Sequence, residues 1–187
     1  ENINIPMEIQ KIFKQYVGNI FISSIILDVI EYRMLYYMLK RHFWSENAKI
    51  RHKNDIIFEL KYRASNDGWD SNTFHNLCDN ITDLCVIITC NNNIFGGYTS
   101  VGWKIDNELY TKDEESFLFI LKNDKINIKL PDRIYPAPSL YDKSILNSKT
   151  YGPCFGRSMI IDLNKKSCIV KNTEYPVNVS DFIGYYT

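Results

Sequence analysis

No charge of either sign dominates this chain. Its 187 residues carry 22 Lys and Arg against 22 Asp and Glu. Nucleic-acid backbones are bound by clustered basic charge, so the balance argues against a nucleic-acid partner. Long apolar runs are missing too. The longest, Ile20 to Leu27, contains Ser23 and Ser24 and falls well short of the roughly 20 residues needed to cross a bilayer. No segment therefore reads as transmembrane, and no secretory signal is visible. Cysteine is sparse: Cys78, Cys85, Cys90, Cys154 and Cys168. An odd, thin set of this kind points to reduced thiols in a cytoplasmic setting rather than a disulfide framework. Histidine is scarcer still, with only His42, His52 and His75. None sits in a recognisable catalytic or metal motif. Internal repeats and low-complexity linkers are also lacking.

Apolar residues are abundant at 45%, of which aromatics contribute 14% of the chain. That composition, at this length, suits one folded domain with a real core. The chain opens on Glu1 rather than Met and closes on "IGYYT", which reads as the middle of a strand. A fragment of a longer protein is the expectation. Residues 1–19 read as an N-terminal helix, or the end of an upstream helix or coiled coil, with Pro6 at its start and Gly18 at its end. Residues 20–187 read as the domain proper, with its C-terminal end truncated.

A second helix is expected after Asp28. Asp28 and Glu31 have capping-box spacing, and Ile30, Met34, Leu35, Met38 and Leu39 form one stripe. The stretch "SENAKIRHKND" at 45–55 is polar and reads as a loop. "IIFELKYRAS" alternates Phe58, Leu60 and Tyr62 as a strand does, and "DSNTFHNLCDN" reads as a short helix capped by Asp70 or Ser71. Three hairpins follow. "LCVIITC" and "IFGGYTSV" flank Asn91–Asn93, "SFLFILK" and "INIKL" flank Asn123–Lys125, and "SMIIDL" and "SCIVK" flank Asn164–Lys166. Successive hairpins imply antiparallel pairing. Several strands are apolar on both faces, so both faces need cover. The expected fold is α+β: two antiparallel sheets in a β-sandwich flanked by helices. "PDRIYPAPSLYDKSILNSKT", at 131–150, reads as one long loop.

Candidate chemistry is thin. Gly152-Pro153-Cys154-Phe155-Gly156 has the spacing of a nucleophile elbow with cysteine in place of serine. An elbow needs an apolar strand before it and a helix behind it. Here "LNSKTY" precedes and a strand, "RSMIIDL", follows. Cys154 reads better as part of a glycine-bounded turn than as a nucleophile. His75, Cys78, Cys85 and Cys90 are close together but match no zinc spacing, and Cys85 and Cys90 point to opposite faces of one strand. No metal and no cofactor is expected. Asp113, Glu114 and Glu115 form an acidic run before a strand, and one buried member of such a run could do acid–base work. Gly96 and Gly97 inside a strand mark a bulge or close packing.

Five stretches together resemble the TLDc domain family. "LKYRASNDGWDSNTFHNLCDN" is similar to its opening strand, Asp-Gly turn and short helix. "NNNIFGGYTSVGW" resembles its Ile-Phe-Gly-Gly-Tyr strand and trailing Trp. "EESFLFIL", "GPCFG" and "SIILD" are similar to its acidic strand, its late turn and the start of its first helix. The resemblance spans about residues 24–186. It places Gly68, Gly96, Gly97, Gly152 and Gly156 at the family's glycines. Tyr62, Phe74, Phe95, Trp103, Phe117 and Phe155 fall at its aromatics, with Ser65 and Tyr98 in the same motifs. Glu115 falls at its acidic position and is the first candidate for a functional or network-forming polar residue. Asp67 is the second. Segment 45–55 and the first helix lie outside the pattern.

The resemblance implies the same two-sheet architecture. It also implies a link to oxidation resistance, and binding to subunits of the vacuolar-type proton-pumping ATPase from the cytoplasm, peripheral to endolysosomal membranes. It implies no established active site. A non-enzymatic interaction domain is the preferred reading. An enzyme or redox protein using Cys154 or Glu115, and a scaffold domain of a multidomain signalling protein, are the alternatives.

Overall fold

The computed structural model describes residues 29–43, 56, 58–90, 93–105, 109–123, 133–134, 142–170 and 183–186. The expected first helix, the capping role of Asp28, loop 45–55 and the "INIKL" arm fall outside these residues.

Helix α1 (Val29–Phe43) carries Glu31 in its first turn and Lys40, Arg41 and His42 in its last, which suits the helix dipole. Of the expected stripe, Leu35, Met38 and Leu39 are buried and Met34 is partly buried. Tyr32 and Phe43 extend the same face, as helical spacing requires. The polar Glu31 and His42 are buried as well.

Strand β1 (Leu60–Arg63) is shorter than expected. Ala64–Asp67 is instead a single helical turn, α2. The Arg63 N–H donates to the Asp67 carboxylate at 2.6 Å, which bends the chain out of the strand. Gly68 closes the turn with its N–H on the Ala64 carbonyl. Helix α3 (Ser71–Cys78) follows, with Asp70 as its N-cap. The Asp70 carboxylate accepts from the backbone N–H groups of Asn72 and Thr73, satisfying two orphan donors of the first turn.

The rest is sheet. Strands β2 (Leu84–Cys90) and β3 (Asn93–Thr99) pair antiparallel, with Cys90 opposite Asn93. Asn93 therefore belongs to the strand and not to the expected Asn91–Asn93 loop. Strand β4 (Tyr110–Thr111) precedes β5 (Phe117–Lys122) and β6 (Arg133–Ile134). Next come β7 (Ile145–Leu146), β8 (Cys154–Phe155), β9 (Met159–Asp162), β10 (Ser167–Val170) and β11 (Ile183–Tyr186). The 131–150 segment, expected to be one loop, thus holds two short strands. Two residues are too few to show a period of two, so pairing alone reveals them.

A six-stranded sheet runs in the order β1-β11-β2-β3-β5-β6, a three-stranded sheet in the order β10-β9-β8, and β4 pairs with β7. All pairs are antiparallel. The chain is α+β, and among the described residues its antiparallel sheets do not close into a barrel.

Strand β2 shows why its sequence is apolar throughout. Leu84, Val86 and Ile88 belong to one buried cluster, and Cys85 and Ile87 to another. The first cluster also holds Phe74 and Cys78 of α3, Trp103, and Phe155, Met159, Ile161 and Cys168 of the three-stranded sheet. The second holds the α1 face with Phe117, Phe119 and Leu121 of β5. Both faces of the central strand are covered, so alternation gives way to a continuous apolar run.

Candidate functional site

Five motif aromatics, Tyr62, Phe74, Phe95, Trp103 and Phe155, meet in the first cluster. Ring centroids run from Tyr62 to Phe74 at 5.7 Å, Phe74 to Trp103 at 5.8 Å and Trp103 to Phe155 at 5.5 Å, each pair edge-to-face. Such pairs add about 0.5–1.5 kcal/mol beyond simple burial. The polar atoms of this row are also spoken for. Tyr62 donates its hydroxyl proton to Gly68 O at 2.6 Å, and Trp103 Nε1–H donates to Cys154 O at 3.3 Å. Burial pushes the Tyr62 phenol pKa upward, with help from the negative charges of Asp70 and Asp67. Tyr98 and Phe117 lie on the opposite face of the sheet, in contact with each other and with His42.

Gly96 and Gly97 lie back to back between these cores. A Cβ on Gly97 would sit 2.6 Å from Phe155 Cζ, on the first cluster. A Cβ on Gly96 would meet the Val86 carbonyl oxygen and sit 2.8 Å from Phe119 Cζ, on the second. Close approach is the reason for both glycines. Phe95, two positions from Gly97, is buried in the first cluster.

Cys154 is 0% exposed. It starts β8, opposite Ile160, and Phe155 pairs with Met159. Its thiol donates to Gly152 O at 3.4 Å. Burial pushes the thiol pKa up to about 12, so the sulfur stays protonated near neutrality, where a nucleophile would have to be thiolate. Pro153 is buried beside it, and Gly152 N–H donates to Ile161 O at 2.8 Å. Gly156 closes the turn into β9 at φ +54°, a region glycine enters without Cβ strain.

Three polar networks tie the loops around this turn. In the acidic run, the central carboxylate is Asp113, 3% exposed, and not Glu115. Asp113 accepts from Ser100 N and Ser100 Oγ at 2.9 and 2.8 Å and from Glu115 N at 3.0 Å, and Thr99 Oγ1 lies 2.8 Å away. It locks the end of β3 to the approach of β5. Glu115 is half-buried and contributes its backbone N–H. A second knot is Asn147. It accepts from Lys104 N at 2.9 Å and donates to Leu109 O and Thr111 Oγ1, both at 2.9 Å.

The third knot is His75, on the buried face of α3. Its Nδ1 lies 2.7 Å from Asp79 Oδ1, and its Nε2 lies 2.8 Å from Ser148 O and 2.9 Å from Tyr151 O. Ile105 N–H holds the other Asp79 oxygen at 3.0 Å. Burial alone would favour the neutral ring. The hydrogen bonds that the ring donates to Asp79 and the Tyr151 carbonyl, with the Asp79 charge, outweigh it and raise the His75 pKa.

His75, Cys78 and Cys85, whose spacing matches no zinc pattern, do not converge on one point. His75 is committed to Asp79 and the two carbonyls, while Cys78 and Cys85 belong to different cores. Ser65 and Asp67 of the α2 turn and Gly68 after it are exposed. Asn147 and the His75 knot leave little mark in the sequence because their partners are mostly main-chain atoms. Asp113 was visible only as one of three neighbouring acids. A family model described as TLDc domain matches residues 20–179. No curated protein matches the chain.

Proposed function

We propose, from the premise that this chain belongs to the TLDc domain family, that it works as a non-enzymatic interaction domain. The carrying observation is that, among the described residues, the Cys154, His75 and Asp113 side chains face inward and serve the fold. The Cys154 thiol is buried and protonated, His75 holds two carbonyls, and Asp113 holds a turn. The family resemblance supplies the partner and the outcome: subunits of the vacuolar-type proton-pumping ATPase, and resistance to oxidative stress. No described helix is long and apolar enough to cross a membrane. By the family resemblance, attachment to endolysosomal membranes is peripheral, through the pump, from the cytoplasmic side.

The test is co-sedimentation of the whole chain with purified pump and its detached catalytic sector, with ATP hydrolysis followed in parallel. Saturable binding that changes hydrolysis is expected. Cys154→Ala is expected to bind and to protect against peroxide as the parent chain does. Absence of binding to either pump form removes the pump as partner. A folded Cys154→Ala chain that binds but no longer protects would favour a redox role for the thiol.

A further inference from the structure

We propose that His75 is a buried imidazolium that latches helix α3 to the 148–151 loop and releases it as pH rises. The argument is one of donors and acceptors. A neutral imidazole carries one N–H and one bare lone pair. Each His75 nitrogen faces only acceptors: a carboxylate oxygen of Asp79 at Nδ1, and the carbonyl oxygens of Ser148 and Tyr151 at Nε2. A single proton would leave one lone pair pointed at an oxygen lone pair, in a side chain shielded from water. Protons on both nitrogens satisfy all three contacts. The ring then carries a positive charge beside Asp79, and this charge is compensated where it sits.

The groups facing the ring are few. From α3 and its cap come the Asp79 carboxylate and the Phe74 ring, whose centroid is 4.9 Å away. From the 148–151 loop come the two main-chain carbonyls. From the segment after Trp103 comes Ile105 N–H, which fixes the far oxygen of Asp79. The charge acting on the ring is that of Asp79. One further bond, Ser71 Oγ to Lys149 O at 3.3 Å, joins the same helix to the same loop. This loop leads directly into Gly152 and the Cys154 strand.

Releasing the latch takes one proton, lost from the ring to water, with no other reactant. In the folded chain the His75 pKa is raised above the ordinary 6.5. Its stabilising contribution is therefore complete below 6.5 and is lost as pH climbs through the folded value. Mild acidification tightens the α3–loop contact and alkalinisation loosens it. The device does not depend on which partner the domain has.

Nitrogen-15 NMR on the whole 187-residue chain reads the latch directly. At pH 6 both His75 nitrogens are expected to carry protons, and the titration midpoint is expected above 6.5. A midpoint at or below 6.5 overturns the proposal. Hydrogen exchange then reads the mechanical consequence at the Gly152 amide, bonded to Ile161 O. After correction for base-catalysed exchange, its protection is expected to fall across the midpoint. The fall is about tenfold for each pKa unit separating the latched and open states. Flat protection overturns the latch even if the ring is charged. His75→Gln is expected to abolish the pH dependence. Should that variant not fold, Asp79→Asn is expected to move the His75 midpoint down, and an unmoved midpoint counts against the proposal.

Discussion

Gly96 and Gly97 stand next to each other in β3, and each is pressed by a different core. The obstacle differs in kind. For Gly97 it is the end of the Phe155 ring and a methyl of Leu118; for Gly96 it includes the Val86 carbonyl, part of the neighbouring strand's backbone. A ring can rotate or slide, whereas a paired strand can give way only by breaking its ladder. Overpacking costs about 1–3 kcal/mol where side chains can adjust. Gly97→Ala should fall in that range in urea unfolding, and Gly96→Ala should cost more or abolish folding. The reverse order would show that β2 and β3 are less tightly joined than described. The pair was legible in the sequence as a bulge or close-packing signal. Which acid of the Asp113–Glu115 run does the holding was not. Asp113 and Glu115 are equivalent in composition, and only the turn that brings Ser100 to Asp113 separates them.

At the scale of elements, local signals carried furthest. Asp70 ahead of Thr73 marks the start of α3, and the structure places it there as the N-cap. The β2–β3 and β9–β10 hairpins follow from apolar runs broken by short polar segments. Helix α1 follows from its stripe, and the stripe defines a prediction. Leu35 is 1% exposed against β5 and Tyr37 is 59% exposed on the same helix. Leu35→Ala should cost about 2–5 kcal/mol. Tyr37→Ala should stay within about 0.5 kcal/mol. Equal effects, measured by thermal or chemical unfolding, would mean that α1 does not cover this face of the sheet. Strand β1 stops at Arg63, short of the expected Ser65, because Asp67 captures the Arg63 amide. Hydrophobic period cannot see that bond.

For the molecule as a whole, the arrangement of strands was the least legible feature. The antiparallel α+β class follows from the hairpins, but the position of β11 does not. It pairs with β1 on one side and β2 on the other, one strand in from the edge of the six-stranded sheet. Nothing local in "IGYYT" names partners so far away along the chain. Removing residues 183–187 should therefore do more than fray an edge. It leaves β1 without its neighbour and exposes one ladder of β2. The expected result is a shallower urea transition with a reduced m-value, since less surface is buried cooperatively. An unchanged midpoint and slope would place β11 outside the cooperative unit.

The same placement sets an order in time. During synthesis β1 and β2 leave the ribosome long before Ile183–Tyr186 does. Until then each has an open edge toward the gap that β11 will fill. Open strand edges are where nascent chains stick to one another. The hairpins can close as they emerge, but the gap between β1 and β2 stays open until β11 has been made, and the cell must keep it covered until then.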